Sequence, residues 1–92
     1  MEVLWTEPAE RHLAAIHAFY SQTSRRYADR VVDQITERTK QLARFPRSGA
    51  VVPEAANIEI RFVPEGAYRI LYVVGSGHIE ILGVLHGSRA TL

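Results

Sequence analysis

Cysteine is absent from this sequence, and lysine occurs only once, at Lys40. Without cysteine, the chain can form neither a disulfide bond nor a thiolate metal site, and it has no thiol nucleophile. Nothing in the composition requires an oxidising compartment, so we expect a cytoplasmic protein. No apolar run approaches the roughly 20 residues that cross a bilayer, and the first residues lack the basic-then-apolar pattern of a signal peptide.

Metal-site and phosphate-loop spacings are also missing. His12 and His17 are five residues apart, which places them on different faces of a helix. Metal ligands on one helix are four residues apart instead. No glycine-rich phosphate loop is present, and Gly75-Ser76-Gly77 has the context of a hairpin turn. We therefore expect no metal and no other cofactor.

The length and composition predict one domain over residues 1–92, with 47% hydrophobic and 23% charged residues. The net charge of +1 conceals a basic segment, residues 24–47, whose seven basic side chains outnumber three acidic ones. Such a segment can be a nucleic-acid footprint, although it is more often the solvated face of a helix.

The first part of the chain predicts a strand followed by an amphipathic helix. Residues 2–5 are compatible with a strand. The next three residues have the composition of a helix start, in which either Thr6 or Glu7 can be the N-cap. The helix is expected to continue to about Tyr20. Its apolar stripe consists of Ala9, Leu13, Ile16 and Tyr20.

A second helix is predicted after a break at residues 21–24, with Ser24 as its N-cap. It is expected to end at Phe45-Pro46, because a residue before proline avoids helical geometry. Its apolar stripe is interrupted by Thr39 and consists of Ala28, Val31, Ile35, Leu42 and Phe45. The two helices are expected to form a hairpin, each with an apolar face that needs a flat surface to cover.

Three strands are predicted in the second half, after a loop over residues 47–56. Alternating apolar residues indicate strands over 58–63, 68–74 and 78–86, joined by turns at Pro64-Glu65-Gly66 and at residues 75–77. In the last strand, strict alternation places Ile79, Ile81, Gly83 and Leu85 on one face. The expected fold is α+β in the order β-α-α-β-β-β, with the helical hairpin packed on a small antiparallel sheet.

Three motifs occur along this order. The first is Phe45-Pro46-Arg47-Ser48-Gly49 followed by Val52-Pro53-Glu54, the second is Tyr68-Arg69-Ile70-Leu71-Tyr72 after a glycine, and the third runs from Ile79 to Arg89. In their order and spacing they resemble the RelE/ParE superfamily of toxins from type II toxin–antitoxin systems, on the ParE side. The resemblance covers nearly the whole chain. One departure is Ala50, where such sequences often carry arginine, and this weakens a role for a basic loop tip.

The resemblance implies a bacterial toxin neutralised by a cognate ParD-like antitoxin, whose C-terminal segment wraps the toxin. ParE-like members inhibit DNA gyrase, and RelE-like members cleave mRNA on the ribosome; the fold alone does not separate the two. We expect gyrase inhibition by protein–protein contact, with growth arrest and plasmid stabilization as its consequences. The alternatives are a ribosome-dependent endoribonuclease and a degenerate toxin that binds its antitoxin and helps repress the operon. DNA would be contacted only through the antitoxin.

A metal-independent ribonuclease needs a base, an acid and fixed cations around one phosphate. The candidates for that chemistry are Arg61, Arg69, His86 and Arg89. This set is thin. The resemblance to RelE-like nucleases implies several lysines and arginines on the sheet and often a C-terminal tyrosine or histidine. Here the single lysine, Lys40, belongs to the second predicted helix, and residues 90–92 are Ala-Thr-Leu. The sequence therefore favours an inhibitor without catalytic activity, and the alternative, if the protein is an enzyme, is a metal-independent endoribonuclease. The same four residues, together with Tyr72, are the predicted partner contacts.

Simpler interpretations of these side chains remain open. Arg69 can form a cross-strand pair with Glu59 or Glu80. His86 is more often a hydrogen-bonding residue at a strand end than a catalyst. Arg89 can bind a carboxylate or a phosphate in a bidentate manner. Tyr72 can be a packing residue whose hydroxyl reaches an edge of the core.

Overall fold

The structure, a computed structural model, describes residues 1–53 and 57–89. Its elements in chain order are β1 (Glu2–Trp5), α1 (Glu7–Ser21), α2 (Arg25–Arg44), β2 (Ala50–Val51), β3 (Arg61–Glu65), β4 (Tyr68–Val74), β5 (His78–His86) and a 3-10 turn (Gly87–Arg89). The helices pack on one face of a five-stranded sheet with the order β1-β5-β4-β3-β2. The predicted α+β fold is confirmed. Of the helices in these two ranges, none combines the length and apolarity that a bilayer crossing needs.

The sheet is mixed, which corrects the expectation of a wholly antiparallel one. β1 runs parallel to β5, with Val3 opposite Ile79, while β2, β3, β4 and β5 pair antiparallel. A parallel pair needs a long connection, and the helical hairpin together with the intervening strands provides one. The two-residue strand β2 lies inside the predicted loop, since it is too short to show an alternating pattern.

Polar side chains begin both helices. Thr6 is the N-cap of α1, because its hydroxyl accepts from the Ala9 N–H at 3.3 Å and donates to the Ile81 carbonyl at 2.8 Å. One side chain thus starts the helix and connects it to β5. Ser24 caps α2 as predicted, accepting from the Tyr27 N–H at 3.1 Å.

The core lies between the helices and the sheet. Thr39 is buried within it, and its hydroxyl donates to the Thr36 carbonyl at 2.6 Å, which satisfies the polar group inside the helix. The largest fully buried apolar side chains are Tyr72, Ile35, Leu42, Ile70, Ile79, Ile81 and Val63. Phe45 was predicted to belong to the buried stripe, but it is 63% exposed, because α2 ends at Arg44 and Phe45 is its non-helical C-cap residue.

The strand predicted over residues 58–63 starts later in the structure, as β3. β3 begins at Arg61, and Ile58 is 59% exposed rather than part of a buried strand face. Pro64 lies inside β3, and the turn falls at Gly66, whose φ of 58° suits glycine. Proline is tolerated there because β2 pairs only with the first two residues of β3, so that Pro64 occupies an open sheet edge.

A β-bulge in β5 overturns the predicted alternation in that strand. Tyr72 pairs with Ile81, yet the neighbouring Leu71 pairs with Gly83, so that Leu82 is an extra residue without a partner. The sequence pattern cannot reveal this shift, because all residues around it are apolar or glycine.

Beyond the bulge the two faces of β5 are exchanged. Val84 packs in the core below the helices, and Leu85 lies in the apolar cluster on the opposite face. His12 of α1 reaches the bulge, where its Nδ1 accepts from the Val84 N–H at 3.2 Å. A Cβ added to Gly83 would lie 3.2 Å from the His12 ring, which explains glycine at this close approach.

Candidate partner-binding surfaces

The sheet face that points away from the helices, which we call the outer face, has an apolar centre. Its buried members are Val52, Ile60 and Leu71, and Phe62, Val73, Leu82 and Leu85 pack around them partly exposed. A hollow of about 590 Å³ beside this cluster is lined by Arg47, Ile58, Glu59, Val73, Val74, Glu80 and Leu82. An exposed apolar area with charged residues at its margin is typical of a protein-binding surface.

Arg69 lies on the outer face, as its position opposite to Tyr68 in the strand pattern predicts. Its guanidinium carbon stands 4.8 Å from the centre of the Phe62 ring, a cation–π contact. The alternative pairing with Glu59 or Glu80 is not observed: Glu59 binds Arg61, and none of the salt bridges of residues 1–53 and 57–89 includes Arg69. The charge therefore lies against an aromatic ring at the margin of the outer face.

Tyr72 holds the loop that follows α2. Its side chain is completely buried, and its hydroxyl donates to the Pro46 carbonyl at 2.7 Å and accepts from the Gly49 N–H at 2.9 Å. A side chain with no exposed area cannot contact a partner, so the prediction of a direct contact is wrong for Tyr72. The same arrangement explains Gly49, since an added Cβ would lie 2.6 Å from the Tyr72 hydroxyl and 2.7 Å from the Phe62 carbonyl.

Arg61 holds the same loop from the neighbouring strand. Its Nη1 donates to the Gly49 carbonyl at 2.7 Å and to the Arg47 carbonyl at 3.1 Å, and its Nη2 lies 2.9 Å from the Glu59 carboxylate. Only 16% of the Arg61 side chain is exposed. Its donors are used within the chain, which supports a structural role and leaves a partner contact as a prediction.

His86 ends β5 as a hydrogen-bonding residue. Its Nδ1 accepts from the Ser88 N–H at 3.2 Å and lies 2.7 Å from the Ser88 hydroxyl, and its ring meets the Tyr68 ring edge-on at 5.6 Å. The backbone of Arg89 closes the 3-10 turn. The Arg89 side chain lies outside the described part of the structure, so its predicted contact stays a prediction.

The three nuclease candidates whose side chains are described, Arg61, Arg69 and His86, do not surround one phosphate. Arg61 is opposite Tyr72, and His86 is opposite Tyr68, which lies four residues earlier in β4. This offset separates them by about 13 Å along the strand direction. Arg69 lies on the other face of the sheet, against Phe62. These three described residues therefore do not bring an acid, a base and cations together at one position, as cleavage at a phosphate would require.

A second surface, which we call the helix groove, lies between the two helices and β1. A hollow of about 430 Å³ is lined there by Trp5, Glu10, Leu13, Ala14, His17, Val32 and Thr36. β1 is an edge strand of the sheet, and its Leu4 is 40% exposed. The His17 Nε2 donates to the Asp29 carboxylate at 2.7 Å and connects the helices at the margin of the groove. A groove beside a free strand edge can accept a helix or a strand of a partner.

Tyr68 belongs to an aromatic cluster at the joint between the helices. Its hydroxyl donates to the Tyr20 hydroxyl at 3.3 Å, and the Tyr20 ring meets those of Phe19 and Tyr27 edge-on at 5.1 and 5.2 Å. Burial is the main reason that the pKa of Tyr68 rises to about 12, and the hydrogen bond to Tyr20 and the nearby phenol groups act in the same direction.

Stability is expected to decrease in alkaline solution because of Tyr68. Its proton binds more tightly in the folded chain than in the unfolded chain, so this contribution is complete below pH 10 and is lost as the pH rises from about 10 to about 12. Urea unfolding of the wild type and of Tyr68→Phe at pH 9 and pH 11 measures it. The variant cannot ionise at this position and should lose less stability; equal losses would contradict the assignment.

Comparison with known proteins identifies the family. Residues 3–91 match the family described as the ParE toxin of the type II toxin–antitoxin system parDE. The chain belongs to the ParE toxin family. None of the curated proteins matches the sequence significantly.

Solved structures of a toxin and of two toxin–antitoxin systems are similar to this ParE-family chain. The chromosomal ParDE system from P. aeruginosa has 25% identity and a TM-score of 0.79 over 94% of this chain and 95% of that one. The YoeB/ParE toxin from Agrobacterium tumefaciens has 20% identity and a TM-score of 0.60 over 94% and 98%. The YoeB–YefM complex from Staphylococcus aureus has 16% identity and a TM-score of 0.56 over 94% and 95%. The last two likenesses concern the fold alone.

Several site features of this ParE-family chain were not predicted from its sequence. The helix groove includes Val32 and Thr36, which lie beside the predicted stripe of α2. The contact of His12 with the bulge and the bridge from His17 to Asp29 join elements that are distant in the sequence. Pattern analysis along one element carries no signal for such contacts.

Proposed function

We propose that this ParE-family chain inhibits DNA gyrase by protein–protein contact in the bacterial cytoplasm. The observation that carries the proposal is the outer face, with an apolar centre and Arg69 at its margin. An inhibitor that acts by contact needs such a surface, whereas a nuclease needs acid, base and cations at one phosphate. Arg69 lies on the opposite sheet face from Arg61 and His86, and Arg61 and His86 lie at different positions along the strand direction. This separation favours inhibition by contact over nuclease activity.

The antitoxin in this proposal is ParD-like and occupies the helix groove and the free edge of β1. The groove is mainly apolar, which suits the apolar side of an amphipathic helix. The outer edge of β1 pairs with no other strand of residues 1–53 and 57–89, which suits an added strand. The P. aeruginosa structure is of a ParDE system, and its likeness to this chain supports a partner of the same type.

Purified chain is expected to reduce DNA supercoiling by gyrase, and added antitoxin should restore it. Arg69→Ala should raise the concentration needed for half-inhibition about tenfold, since losing one important arginine contact typically costs about 1–2 kcal/mol. Arg11→Ala is the matched control, because Arg11 is an exposed arginine of α1 paired with Glu7, remote from the outer face.

Other results would decide between the alternatives. Growth arrest in cells with unaffected gyrase would contradict the proposal. Codon-spaced cuts in a message on stalled ribosomes, absent with Arg69→Ala, would favour the RelE-like nuclease. Expression without antitoxin that causes no growth arrest would indicate a degenerate toxin acting in operon repression.

A further inference from the structure

A pocket of about 320 Å³ lies between the last turns of α2 and the loop that follows it. Its lining consists of Arg38, Gln41, Arg44, Phe45 and Ser48. Two of these described lining residues are cations and none is acidic. The volume is in the lower range of pockets that hold small molecules. The loop side of this pocket is held in place by the hydrogen bonds from Tyr72 and Arg61.

Phe45 presents its ring to solvent in this pocket. The side chain is 63% exposed, because Phe45 is the residue at which the chain leaves the helix. The guanidinium of Arg44 stands 5.8 Å from the ring centre. An exposed ring beside a cation offers a flat apolar surface onto which a planar group can stack.

Within residues 1–53 and 57–89, neither arginine of the pocket forms a salt bridge with a carboxylate. Arg38 donates from Nη1 to the Gln41 side-chain oxygen at 3.1 Å, which orients the guanidinium. This bond uses one of the five guanidinium N–H donors. Lys40 on the same helix is paired with Glu37 at 3.5 Å, whereas the described salt bridges include neither Arg38 nor Arg44. Guanidinium groups match the geometry of phosphate oxygens.

The opposite end of α2 does not repeat this arrangement, although it also carries arginines and exposed aromatic rings. A small cavity of about 80 Å³ there is lined by Tyr20, Tyr27, Val31, Gln34, Ile35, Glu65, Gly66, Ala67 and Tyr68. This lining includes an acid and none of the arginines of that end. Of these two cavities at the ends of α2, the one at the C-terminal end combines cations, an exposed ring and the volume for a small molecule.

We propose that this pocket binds a nucleotide, with the phosphate held by Arg38 and Arg44 and the base stacked on Phe45. The same chemistry is present in a free nucleotide and in a single-stranded nucleic acid. An acidic peptide would use the arginines but not the flat ring, which favours the nucleotide. The site is separate from the outer face and from the helix groove, and it does not depend on gyrase inhibition.

Binding to the full-length chain is measured with fluorescein-labelled single-stranded hexanucleotide and with AMP, adenosine and inorganic phosphate as competitors. AMP should compete better than either adenosine or phosphate, since only AMP engages both halves of the site. Phe45→Ala and Arg44→Gln should each weaken AMP and hexanucleotide about tenfold. The slope of log affinity against log salt for the hexanucleotide is expected to change from about −1.4 to about −0.7 in Arg44→Gln.

Matched controls are Phe19→Ala and Arg30→Gln. Phe19 is also a 63% exposed phenylalanine, and Arg30 is an exposed arginine of α2 outside the pocket lining. Neither should change the affinity. Equal losses in these controls would mean diffuse attraction to a basic helix and would overturn the proposal. Absence of binding at millimolar concentrations would do the same, as would a glutamate-rich peptide that competes as well as AMP.

NMR shifts of the wild-type amides provide a test that needs no variant. AMP should perturb residues 38–48, and perturbation centred elsewhere would contradict the assigned site even if Phe45→Ala failed to fold. The two sources of the ligand are distinguished by affinity. A hexanucleotide that binds much more tightly than AMP indicates a strand, and equal affinities indicate a free nucleotide.

Discussion

Ile35→Ala is expected to lower the free energy of unfolding by about 2–5 kcal/mol, the range observed when a large aliphatic side chain is removed from a packed core. Ile35 is 1% exposed and belongs to the core between α2 and the sheet, and packed neighbours relax only partly into such a cavity. Urea unfolding at neutral pH measures the loss. For a domain of this size, each kcal/mol lowers the melting temperature by about 4–8 °C.

Ile58→Ala is the matched control, because it makes the same chemical change at a 59% exposed position. Its expected effect on stability is within about 0.5 kcal/mol. Ile58 lines the hollow of the outer face, so its replacement should act on partner binding rather than on folding. Similar losses of stability in both variants would contradict the location of the core.

Tyr72→Phe is expected to cost about 2–3 kcal/mol of stability although it removes only one oxygen atom. The hydroxyl satisfies both the Pro46 carbonyl and the Gly49 N–H, and an unpaired buried polar group costs about 1–3 kcal/mol. Faster hydrogen exchange of the Gly49 amide should accompany the loss, because its acceptor is gone. Urea unfolding and amide exchange measure the two effects.

Tyr68→Phe provides the comparison for this substitution at neutral pH. The Tyr68 hydroxyl has one long hydrogen bond of 3.3 Å, to the hydroxyl of Tyr20, and lies in a partly exposed cluster. We expect it to cost less than about 1 kcal/mol. If Tyr72→Phe costs no more than Tyr68→Phe, the loop is not held by the Tyr72 hydroxyl.

The elements predicted correctly are those specified by local signals. Ser24 and Pro46 mark the two ends of α2, and Gly75 and Gly77 mark the turn between β4 and β5. Capping, proline geometry and turn formation each depend on a few consecutive residues, so the sequence shows them directly. The three motifs together, in their order and spacing, indicated the ParE family, which the match over residues 3–91 confirms.

Long-range pairing decided what the sequence could not. The parallel partner of β1, the two residues of β2 and the bulge at Leu82 are set by hydrogen bonds between distant segments. The bulge exchanges the faces of β5, so that Val84 rather than Leu85 enters the core. A period of two cannot show this, because one extra residue reverses every later side chain.

The candidate site shows the same division. The sequence by itself determined which side chains could bind an anion or a partner, and it placed Arg69 correctly on the face opposite Tyr68. Only the tertiary structure decided that Tyr72 and Arg61 hold the loop after α2. It alone also decided that His86 lies far from Arg61 along the strand direction. The reason is physical: residue type determines what a side chain can bind, whereas burial and strand register determine what it can reach.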